Sequence, residues 1–221
     1  MKIIVPFCPR NEAEIDNVDL AKFQAADMIE WRADFLPADK ILFMAEKVFD
    51  KFKNWPVLFT LRSTEEGGNF DQPELIYSYI LRRMLNEFDP AYVDVEAYTK
   101  PEVVEELAEF KKKMVFSYHD FKEIPENLIQ ILSDFADQKP DAIKLAVTAQ
   151  KKSELWQLLL TAGMFRETLN IPLIVLALGE LGKISRVIDN PWTFVRLEEN
   201  PNRLGQFTLK ETQQLLELLD I

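Results

Sequence analysis

Short β-rich apolar segments alternate with amphipathic helical segments along the whole of this 221-residue chain. Helical spacing of apolar residues is clear in Pro73–Glu87 and Ser153–Leu169, and the chain ends on a further such segment, Leu209–Leu219. The short segments are bounded by turn residues and are of strand length. They predict eight strands, at Ile3–Phe7, Met28–Arg32, Val57–Arg62, Tyr92–Ala97, Met114–His119, Ala142–Val147, Leu173–Leu178 and Trp192–Leu197.

Strands that alternate with helices form a parallel sheet whose faces the helices cover. Eight such units in 221 residues suit a compact (β/α)8 TIM barrel, an architecture that begins near ~200 residues. A doubly wound open sheet is the alternative. Because no Pro/Gly/Ser-rich linker and no low-complexity segment interrupts the chain, we predict a single α/β domain over residues 1–221.

Five of the predicted strands carry polar groups on one face and apolar side chains on the other. Residues of one parity share a face, because side chains alternate along a strand. In "MIEWR", Glu30 and Arg32 share a face opposite Ile29 and Trp31. The polar faces of the other four strands carry Thr60 with Arg62, Asp94 with Glu96, Ser117 with His119, and Lys144 with Ala142 and Ala146.

In a barrel these polar faces point into the interior, and active sites of this architecture lie at the C-terminal ends of the strands. Isolated ions there would cost several kcal/mol each, so we expect the charges to compensate one another in a network. A network that serves only stability is the alternative to an active site. For Asp94 and Glu96, neutralisation of arginines and a direct catalytic role both stay open.

Lys144 and His119 supply the chemistry that such an interior can perform. Burial of Lys144 in an otherwise apolar strand favours its neutral amine, which attacks ketones and aldehydes to give an iminium. The iminium acidifies the adjacent carbon, and a base must then remove the proton. His119, the sole histidine, ends the preceding strand on the same face and is suited to that task. A satisfied core or surface position is the alternative for a lone histidine.

Loops at the predicted mouth add further candidates. After the third strand, "RSTEEGGNF" has a tight turn at Gly67 and Gly68 that can direct Glu65 or Glu66 toward the lumen; a turn with solvated acids is the alternative, which this stretch alone favours. Arg186 follows the seventh strand and can hold a carboxylate in a bidentate pair. The segment after the eighth strand, "NRLGQF", places two polar side chains near the mouth, Arg203 and Gln206. The sequence has no His/Cys cluster and no calcium loop, which predicts a metal-free site.

Charge and cysteine content limit the partners and the location. A net charge of −11 argues against nucleic acid and anionic membrane surfaces, which favour clustered Lys and Arg. The lone cysteine, Cys8, excludes an internal disulfide and gives no sign of an oxidising compartment, so we expect a cytoplasmic location. The N-terminus lacks signal-peptide features, and no apolar run approaches the ~18 residues of a membrane helix.

Seven short blocks follow one another along nearly the whole chain: "EWRAD" (30–34), "TLRSTEEGG" (60–68), "VDVEA" (93–97), "SYHDF" (117–121), "IKLAV" (143–147), "GKISR" (182–186) and "GQF" (205–207). In this order they resemble the type I 3-dehydroquinate dehydratases. The ordered set is far more specific than any single block. The resemblance implies a cofactor-free (β/α)8 hydro-lyase of the shikimate pathway, commonly a homodimer, that dehydrates 3-dehydroquinate through a lysine Schiff base.

The resemblance also implies roles for individual residues. Lys144 matches the Schiff-base lysine of the family, and His119 matches the general acid/base. Glu66 matches the carboxylate that supports the histidine, and Arg186 matches the arginine that binds the substrate carboxylate. The groups that surround the substrate hydroxyls correspond to Glu30, Arg32, Arg62 and Gln206.

Some positions depart from the family pattern. Pro6 and Asn202 stand where some members have serine, and Leu176–Leu178 lies in a segment where others have methionines and serine. Two other functions are alternatives on the same barrel. A class I aldolase-like lyase would use the same lysine, but the glycine-rich phosphate loops that it would need are missing. A catalytically inactive binding module would be expected to lack Lys144, His119 or Arg186.

Overall fold

The computed structural model describes residues 1–197 and 205–220, so Asn202 and Arg203 lie outside the described residues. Eight strands occur in these ranges: β1 Lys2–Phe7, β2 Met28–Arg32, β3 Val57–Thr60, β4 Tyr92–Val95, β5 Met114–Asp120, β6 Ala142–Val147, β7 Leu173–Ala177 and β8 Trp192–Phe194. Seven α-helices alternate with them: α1 Glu12–Asp16, α2 Ala38–Lys51, α3 Glu74–Glu87, α4 Pro101–Glu106, α5 Leu128–Asp137, α6 Lys152–Thr168 and α7 Leu209–Leu219. The predicted strands are confirmed, with ends that differ by up to three residues.

All eight strands run parallel in one sheet, in the order β7-β6-β5-β4-β3-β2-β1-β8. Strands that are consecutive in the sequence are neighbours, and β8 pairs with β1. The sheet therefore curls into a nearly closed barrel, which confirms the predicted (β/α)8 architecture. The open doubly wound alternative is wrong, since its strand order would reverse within the sheet.

Apolar side chains fill two separate parts of the core. On the outer face of the barrel, Trp31, Phe59 and Phe116 pack beneath the helices. A second cluster lies in the barrel interior and consists of Ile4, Met28, Leu58, Val115, Ala142, Ala146, Ile174, Leu176, Trp192 and Phe194. Both clusters follow the predicted parity. The interior is consequently apolar near the N-terminal ends of the strands and charged toward their C-terminal ends.

The helices form where an apolar stripe can face the sheet. In α2, Ile41, Met44, Ala45 and Val48 are buried at helical spacing, and the opposite face is solvated. A capping box at Thr208 satisfies the first backbone amides of α7. In the part of the chain that the structure describes, no helix is both long enough and apolar enough to cross a membrane.

β7 lies at one end of the strand order, so one of its edges has no neighbouring strand. Side chains supply the hydrogen-bond partners along that edge. The Asn190 side-chain amide accepts a hydrogen bond from Val175 N at 2.9 Å and donates one to Val175 O at 2.9 Å. Ser185 Oγ accepts a hydrogen bond from Ala177 N at 2.9 Å. These groups replace the backbone partners of a neighbouring strand, so the buried edge amides of β7 are satisfied.

Candidate active site

One cavity of about 510 Å³ opens at the C-terminal end of the barrel and collects the predicted site residues. The eight side chains named from the sequence all line it: Glu30, Arg32, Arg62, Glu66, His119, Lys144, Arg186 and Gln206. They come from β2, β5 and β6, from the segments that follow β3 and β7, and from the segment before α7. The structure therefore brings the whole set together, as convergence at the mouth predicts.

The register of β5 and β6 sets the relative heights of the two reactive side chains. Ser117 pairs with Lys144, and His119 pairs with Ala146. His119 thus lies one interior layer nearer the mouth than Lys144. The imidazole and the amine can therefore contact neighbouring atoms of one molecule in the cavity.

The loop after β3 directs Glu66, and not Glu65, into the barrel. Gly67 takes a left-handed φ of 76°, and a Cβ at Gly68 would lie 2.1 Å from the Arg62 carbonyl oxygen. This close approach folds the loop back over β3 and buries Glu66. The Glu65 side chain instead points outward and forms an ion pair with Lys100 at 2.8 Å. The sequence left Glu65 and Glu66 open as candidates, and this turn selects Glu66.

The Arg62 guanidinium joins three buried carboxylates. Its Nη2 donates to Asp94 Oδ1 at 2.6 Å, and its Nη1 donates to Glu96 Oε1 at 3.1 Å and to Glu66 Oε2 at 3.2 Å. Burial alone would raise the pKa of Asp94, but the Arg62 and Lys144 cations hold that pKa below its ordinary value. Neither Asp94 nor Glu96 is among the side chains that line the cavity. Their position supports neutralisation of cations as their task.

The Lys144 ammonium is held by two carboxylates and an aromatic ring. Its Nζ lies 3.1 Å from Asp94 Oδ2 and 3.5 Å from Glu30 Oε1. The Phe194 ring centroid is 4.4 Å away, within cation–π range. Thr60 Oγ1 donates to the same Glu30 oxygen at 3.1 Å and fixes that carboxylate. These contacts hold the amine at the wall of the cavity.

His119 and Glu66 form a buried pair beside Lys144. The imidazole Nδ1 lies 2.8 Å from Glu66 Oε2, and Thr99 Oγ1 donates to Glu66 Oε1 at 2.9 Å. Burial, together with the nearby Arg62 and Lys144 cations, holds the pKa of His119 well below its ordinary value. Burial also raises the pKa of Glu66 to about 8, although the Arg62 guanidinium acts in the opposite direction.

The protonation state of Glu66 decides whether the His119–Glu66 pair can act as a base. When Glu66 is protonated, it donates to Nδ1 and leaves the imidazole proton on Nε2, so Nε2 cannot accept another proton. When Glu66 is ionised, it accepts the Nδ1 hydrogen and leaves a free lone pair on Nε2. The ionised pair is therefore the form that can remove a proton from a bound molecule.

A further buried carboxylate, Asp34, connects the segments after β2 and β3. It accepts two hydrogen bonds from the Arg32 guanidinium, at 2.8 and 2.9 Å. The Asn69 backbone and side chain donate to the same carboxylate at 3.2 and 3.0 Å. This clamp holds Arg32 and Asn69 at the cavity wall.

Sequence reasoning did not single out Asp34, Asn69 and Thr99 as site residues. Asp34 and Asn69 stand beside predicted site residues, in "EWRAD" and directly after the Gly–Gly pair, so proximity in the sequence was an available signal. Thr99 carries no such signal, since it lies 33 positions from the carboxylate that it contacts.

Arg186 and Gln206 close the cavity on the side of β7 and β8. Arg186 Nε donates to the Gly205 carbonyl at 2.6 Å, and its Nη1 approaches the Phe194 carbonyl at 3.4 Å. Arg186, which follows β7, thus contacts β8, and these are the two end strands of the sheet. Gln206 Oε1 is buried without a hydrogen-bond partner among the described residues. A buried acceptor of this kind indicates that a donor from a bound molecule completes the site.

Two of the departures from the family pattern lie in the described residues. Pro6 pairs with Glu30 in the register of β1 and β2, and its ring offers no hydroxyl to that carboxylate. Leu176 and Leu178 line the cavity and make the wall at β7 apolar. Pro6 is not among the residues that line the cavity, and all three of Lys144, His119 and Arg186 are in place.

Comparisons with known proteins identify the family of this chain. The family model for type I 3-dehydroquinase matches residues 3–221. A 3-dehydroquinate dehydratase of Lactococcus lactis subsp. lactis is 40% identical over 224 residues, which is 99% of this chain and 98% of that protein. A 3-dehydroquinate dehydratase of Streptococcus suis is 36% identical, with both chains covered completely.

A solved structure supports the same relationship. The type I 3-dehydroquinate dehydratase of Clostridium difficile, with covalently modified comenic acid, superimposes with a TM-score of 0.87 at 28% identity and covers 99% of this chain and 91% of that one. The chain therefore belongs to the type I 3-dehydroquinase family, and it is an enzyme of the hydro-lyase class.

Proposed function

We propose that this enzyme removes water from 3-dehydroquinate to give 3-dehydroshikimate, in the shikimate pathway, through a Schiff base on Lys144. The observation that carries the proposal is the placement of Lys144, His119, Arg186 and Gln206 around one cavity. Family membership supports the choice of substrate. The same chemistry accounts for a buried amine beside a buried, neutral imidazole, an arrangement that a purely structural ion network does not need.

Imine formation is the first part of the proposed reaction. Lys144 passes a proton to a base in the cavity, and His119 is suited to accept it because burial keeps its imidazole neutral. The free amine then attacks the C3 ketone of the substrate to give a carbinolamine. His119 returns a proton to the C3 hydroxyl, which leaves as water, and an iminium remains on Lys144.

Elimination is the second part. The iminium withdraws electrons from C2, so the C2 proton becomes acidic, and His119 Nε2 removes it. The electron pair forms the new C1–C2 double bond as the C1 hydroxyl leaves, and the protonated His119 supplies the proton that converts this hydroxyl to water. Hydrolysis of the product iminium then frees Lys144.

Substrate orientation falls to the cationic and polar walls of the cavity. Arg186 is suited to hold the substrate carboxylate and so to present C2 to His119. The unpartnered Oε1 of Gln206 is suited to accept a substrate hydroxyl hydrogen. Glu30 and Arg32 border the space where further hydroxyls would lie, whereas the donors of Arg62 are directed mainly to carboxylates of the protein.

Borohydride trapping tests the proposal directly. The enzyme is incubated with 3-dehydroquinate, reduced with borohydride and digested, and the adduct is located by peptide mass. We expect the adduct on Lys144 and its loss in Lys144→Gln, while Lys151→Gln, an exposed control, still forms it. An unmodified Lys144 in an enzyme that still turns over would refute the mechanism.

The remaining expectations from the sequence stay predictions. They comprise one catalytic domain over residues 1–221, a homodimer, a cytoplasmic location and catalysis without a cofactor or metal ion. Sedimentation of the purified enzyme tests the oligomeric state, and activity after exhaustive dialysis against a chelator tests the last expectation.

A further inference from the structure

Lys100 is a buried lysine outside the cavity, and the proposed reaction gives it no task. It lies in the turn between β4 and α4, and it is only 7% exposed. Its backbone N–H donates to the Glu96 carbonyl at 2.8 Å, so the turn brings the lysine back beside the end of β4. Lys100 is not among the residues that line the cavity. Because burial of an ammonium is costly unless carboxylates compensate it, the partners of Lys100 indicate its role.

The Lys100 ammonium contacts carboxylates from two different segments. Its Nζ lies 2.8 Å from Glu65 Oε2, in the segment after β3, and 3.5 Å from Glu96 Oε2, at the end of β4. The Tyr77 ring of α3 faces it with its centroid 5.5 Å away, and burial raises the pKa of Tyr77, so this neighbour is neutral. Burial lowers the pKa of Lys100, but Glu65 and Glu96 outweigh burial and raise that pKa above its ordinary value. Lys100 is therefore charged throughout the neutral pH range.

Glu96 connects Lys100 to the Arg62 guanidinium. Its Oε1 accepts hydrogen bonds from Ser63 N at 2.7 Å and from Arg62 Nη1 at 3.1 Å, and its Oε2 accepts one from Ser63 Oγ at 2.6 Å. One carboxylate oxygen thus faces Arg62 and the other faces Lys100. The same Arg62 Nη1 also donates to Glu66 Oε2 at 3.2 Å. Glu96 and Glu66 consequently compete for one nitrogen of Arg62, and a second cation at Glu96 reduces that competition.

The electrostatics of Glu66 depend on groups from three segments of the chain. The charged and titratable side chains that face Glu66 are Arg62, Asp94, Glu96 and His119. Burial is the largest cause of the raised pKa of Glu66; the Arg62 cation lowers that pKa, and the Glu96 charge raises it further. A cation on the other side of Glu96 offsets part of this repulsion. Loss of the Lys100 charge would therefore make ionised Glu66 less favourable.

We propose that Lys100 is a positioning residue of the active site: its ammonium neutralises Glu96 from outside the cavity and so leaves Arg62 to hold ionised Glu66 beside His119. Lys100 touches neither the substrate space nor the reacting groups, and it acts through Glu96 and Arg62. The kinetic consequences rest on the proposed function, whereas the effect on the Glu66–His119 pair does not.

Nuclear magnetic resonance of the sole histidine tests the proposal without substrate. The full chain is labelled with isotopic histidine, and the nitrogen resonance of His119 Nε2 is followed against pH, because Nε2 loses its proton when the pair becomes a base. In Lys100→Met we expect the midpoint to rise by about one pH unit, the order expected for loss of one charge ~10 Å away at an effective dielectric constant of ~20. Lys100→Arg keeps the charge and should follow the wild type. An unchanged midpoint in Lys100→Met would overturn the proposal.

Three variants separate the charge of Lys100 from folding and from anchoring of the loop. Lys100→Gln still donates to Glu96 without a charge and should show the same rise if the methionine variant folds poorly; an unchanged midpoint there also overturns the proposal. Lys112→Met, at an exposed position, removes the same charge and should leave the midpoint in place. Glu65→Gln breaks the loop contact but keeps the cation, so its midpoint should stay at or below that of wild type. Equal rises in Glu65→Gln and Lys100→Met would show that Lys100 only anchors the loop, which contradicts the proposal.

Kinetics with 3-dehydroquinate extend the test to turnover. In Lys100→Met, kcat/KM at pH 7 should fall about tenfold, because one pH unit changes the ionised fraction of Glu66 by that factor, and it should approach the wild-type value above pH 9. A fall of equal size at every pH would contradict the proposed role. If the wild-type enzyme does not turn over 3-dehydroquinate, the proposed function fails, and the resonance titration still decides the role of Lys100.

Discussion

A single imidazole carries the proton transfers of the proposed reaction, and its surroundings decide when it can do so. Burial and two nearby cations keep the pKa of His119 low, while Glu66 holds Nδ1 at 2.8 Å. The neutral ring cannot reorient freely, because Glu66 is itself fixed by Arg62 and Thr99. Nε2 is thus left as the group that can exchange protons with a molecule in the cavity.

Substitution of His119 should separate imine formation from turnover. In His119→Ala we expect kcat to fall by about 10²–10⁴, the usual contribution of a general acid/base. Lys144 keeps its contacts with Asp94 and Glu30, so borohydride should still trap the substrate adduct, but more slowly than in wild type, because His119 also transfers protons during imine formation. Single-turnover kinetics with mass analysis of the protein measures both quantities. Rates close to wild type would exclude His119 as the proton carrier.

The pH dependence should report the Glu66–His119 pair. Burial raises the pKa of Glu66 to about 8, and the base form requires its ionised carboxylate, so kcat/KM should rise with pH and level off above about 8. The Thr99 hydrogen bond lowers the pKa of Glu66. Thr99→Val should therefore move the rise to higher pH and reduce the rate at pH 7 roughly fivefold, the equivalent of one hydrogen bond of about 1 kcal/mol.

Thr99→Ser is the matched control, because serine keeps the hydroxyl. Its pH profile should follow that of the wild-type enzyme. A purely structural role for Thr99 would lower the rate equally at all pH values in the valine variant, without displacing the profile. Thr99 acts through Glu66 and is therefore a positioning residue.

At the scale of elements, the barrel strands and the loops have different tasks. β5 and β6 hold His119 and Lys144 on rigid, hydrogen-bonded backbone, and their register fixes the offset between the two groups. The segments after β3 and β7 supply Glu66 and Arg186, whose positions depend on the close packing of short turns. In the proposed reaction, the sheet therefore holds the amine and the imidazole, and the loops supply Glu66 and Arg186.

The edge of β7 offers an element-scale test of stability. Asn190→Ala leaves the Val175 N–H and C=O without their side-chain partners, and each unsatisfied buried group costs about 1–3 kcal/mol. We expect the free energy of unfolding to fall by about 3 kcal/mol, measured by urea titration. Asn170→Ala, at an exposed position nearby in the sequence, should change it little. Equal effects of the two variants would show that the Asn190 contacts do not stabilise this edge.

At the scale of the whole molecule, one ion network connects the segments from β2 to β6. Arg62 and Lys144 neutralise four carboxylates that three separate parts of the chain contribute: Glu30 from β2, Glu66 from the segment after β3, and Asp94 and Glu96 from the end of β4. A buried charge is tolerated only while its partners remain, so removal of one cation affects the fold as well as the site. The network is thus a device for holding reactive groups in a low-dielectric interior.

Arg62→Met should destabilise the fold in a pH-dependent way. Loss of the guanidinium leaves buried carboxylates uncompensated and should cost about 3–5 kcal/mol near neutral pH. Arg62 lowers the pKa of Asp94 and Glu66, so both values rise in the folded variant. Stability is then lost as pH increases, and the deficit relative to wild type should be larger at pH 8 than at pH 5. Urea unfolding at both pH values measures it.

Arg82→Met is the control for this experiment. Arg82 forms an exposed ion pair with Glu109 at 3.1 Å, and such pairs contribute at most about 1 kcal/mol. A deficit in Arg62→Met that is no larger than in Arg82→Met, or one that is independent of pH, would contradict the network account.

The sequence by itself determined the strands and their parity. These features depend on local periodicity: alternation places Lys144 and His119 on the interior face, and parallel strands bring their C-terminal ends together. Any barrel built from these strands must therefore collect Lys144 and His119 in its interior.

Only the tertiary structure decided which groups contact one another. It selected Glu66 over Glu65, connected Thr99 to Glu66 across 33 positions, and completed β7 with Asn190. It also assigned Asp94 to both Arg62 and Lys144. No local pattern encodes these pairings, because each depends on backbone closure and on the burial that makes an unpartnered charge or amide costly.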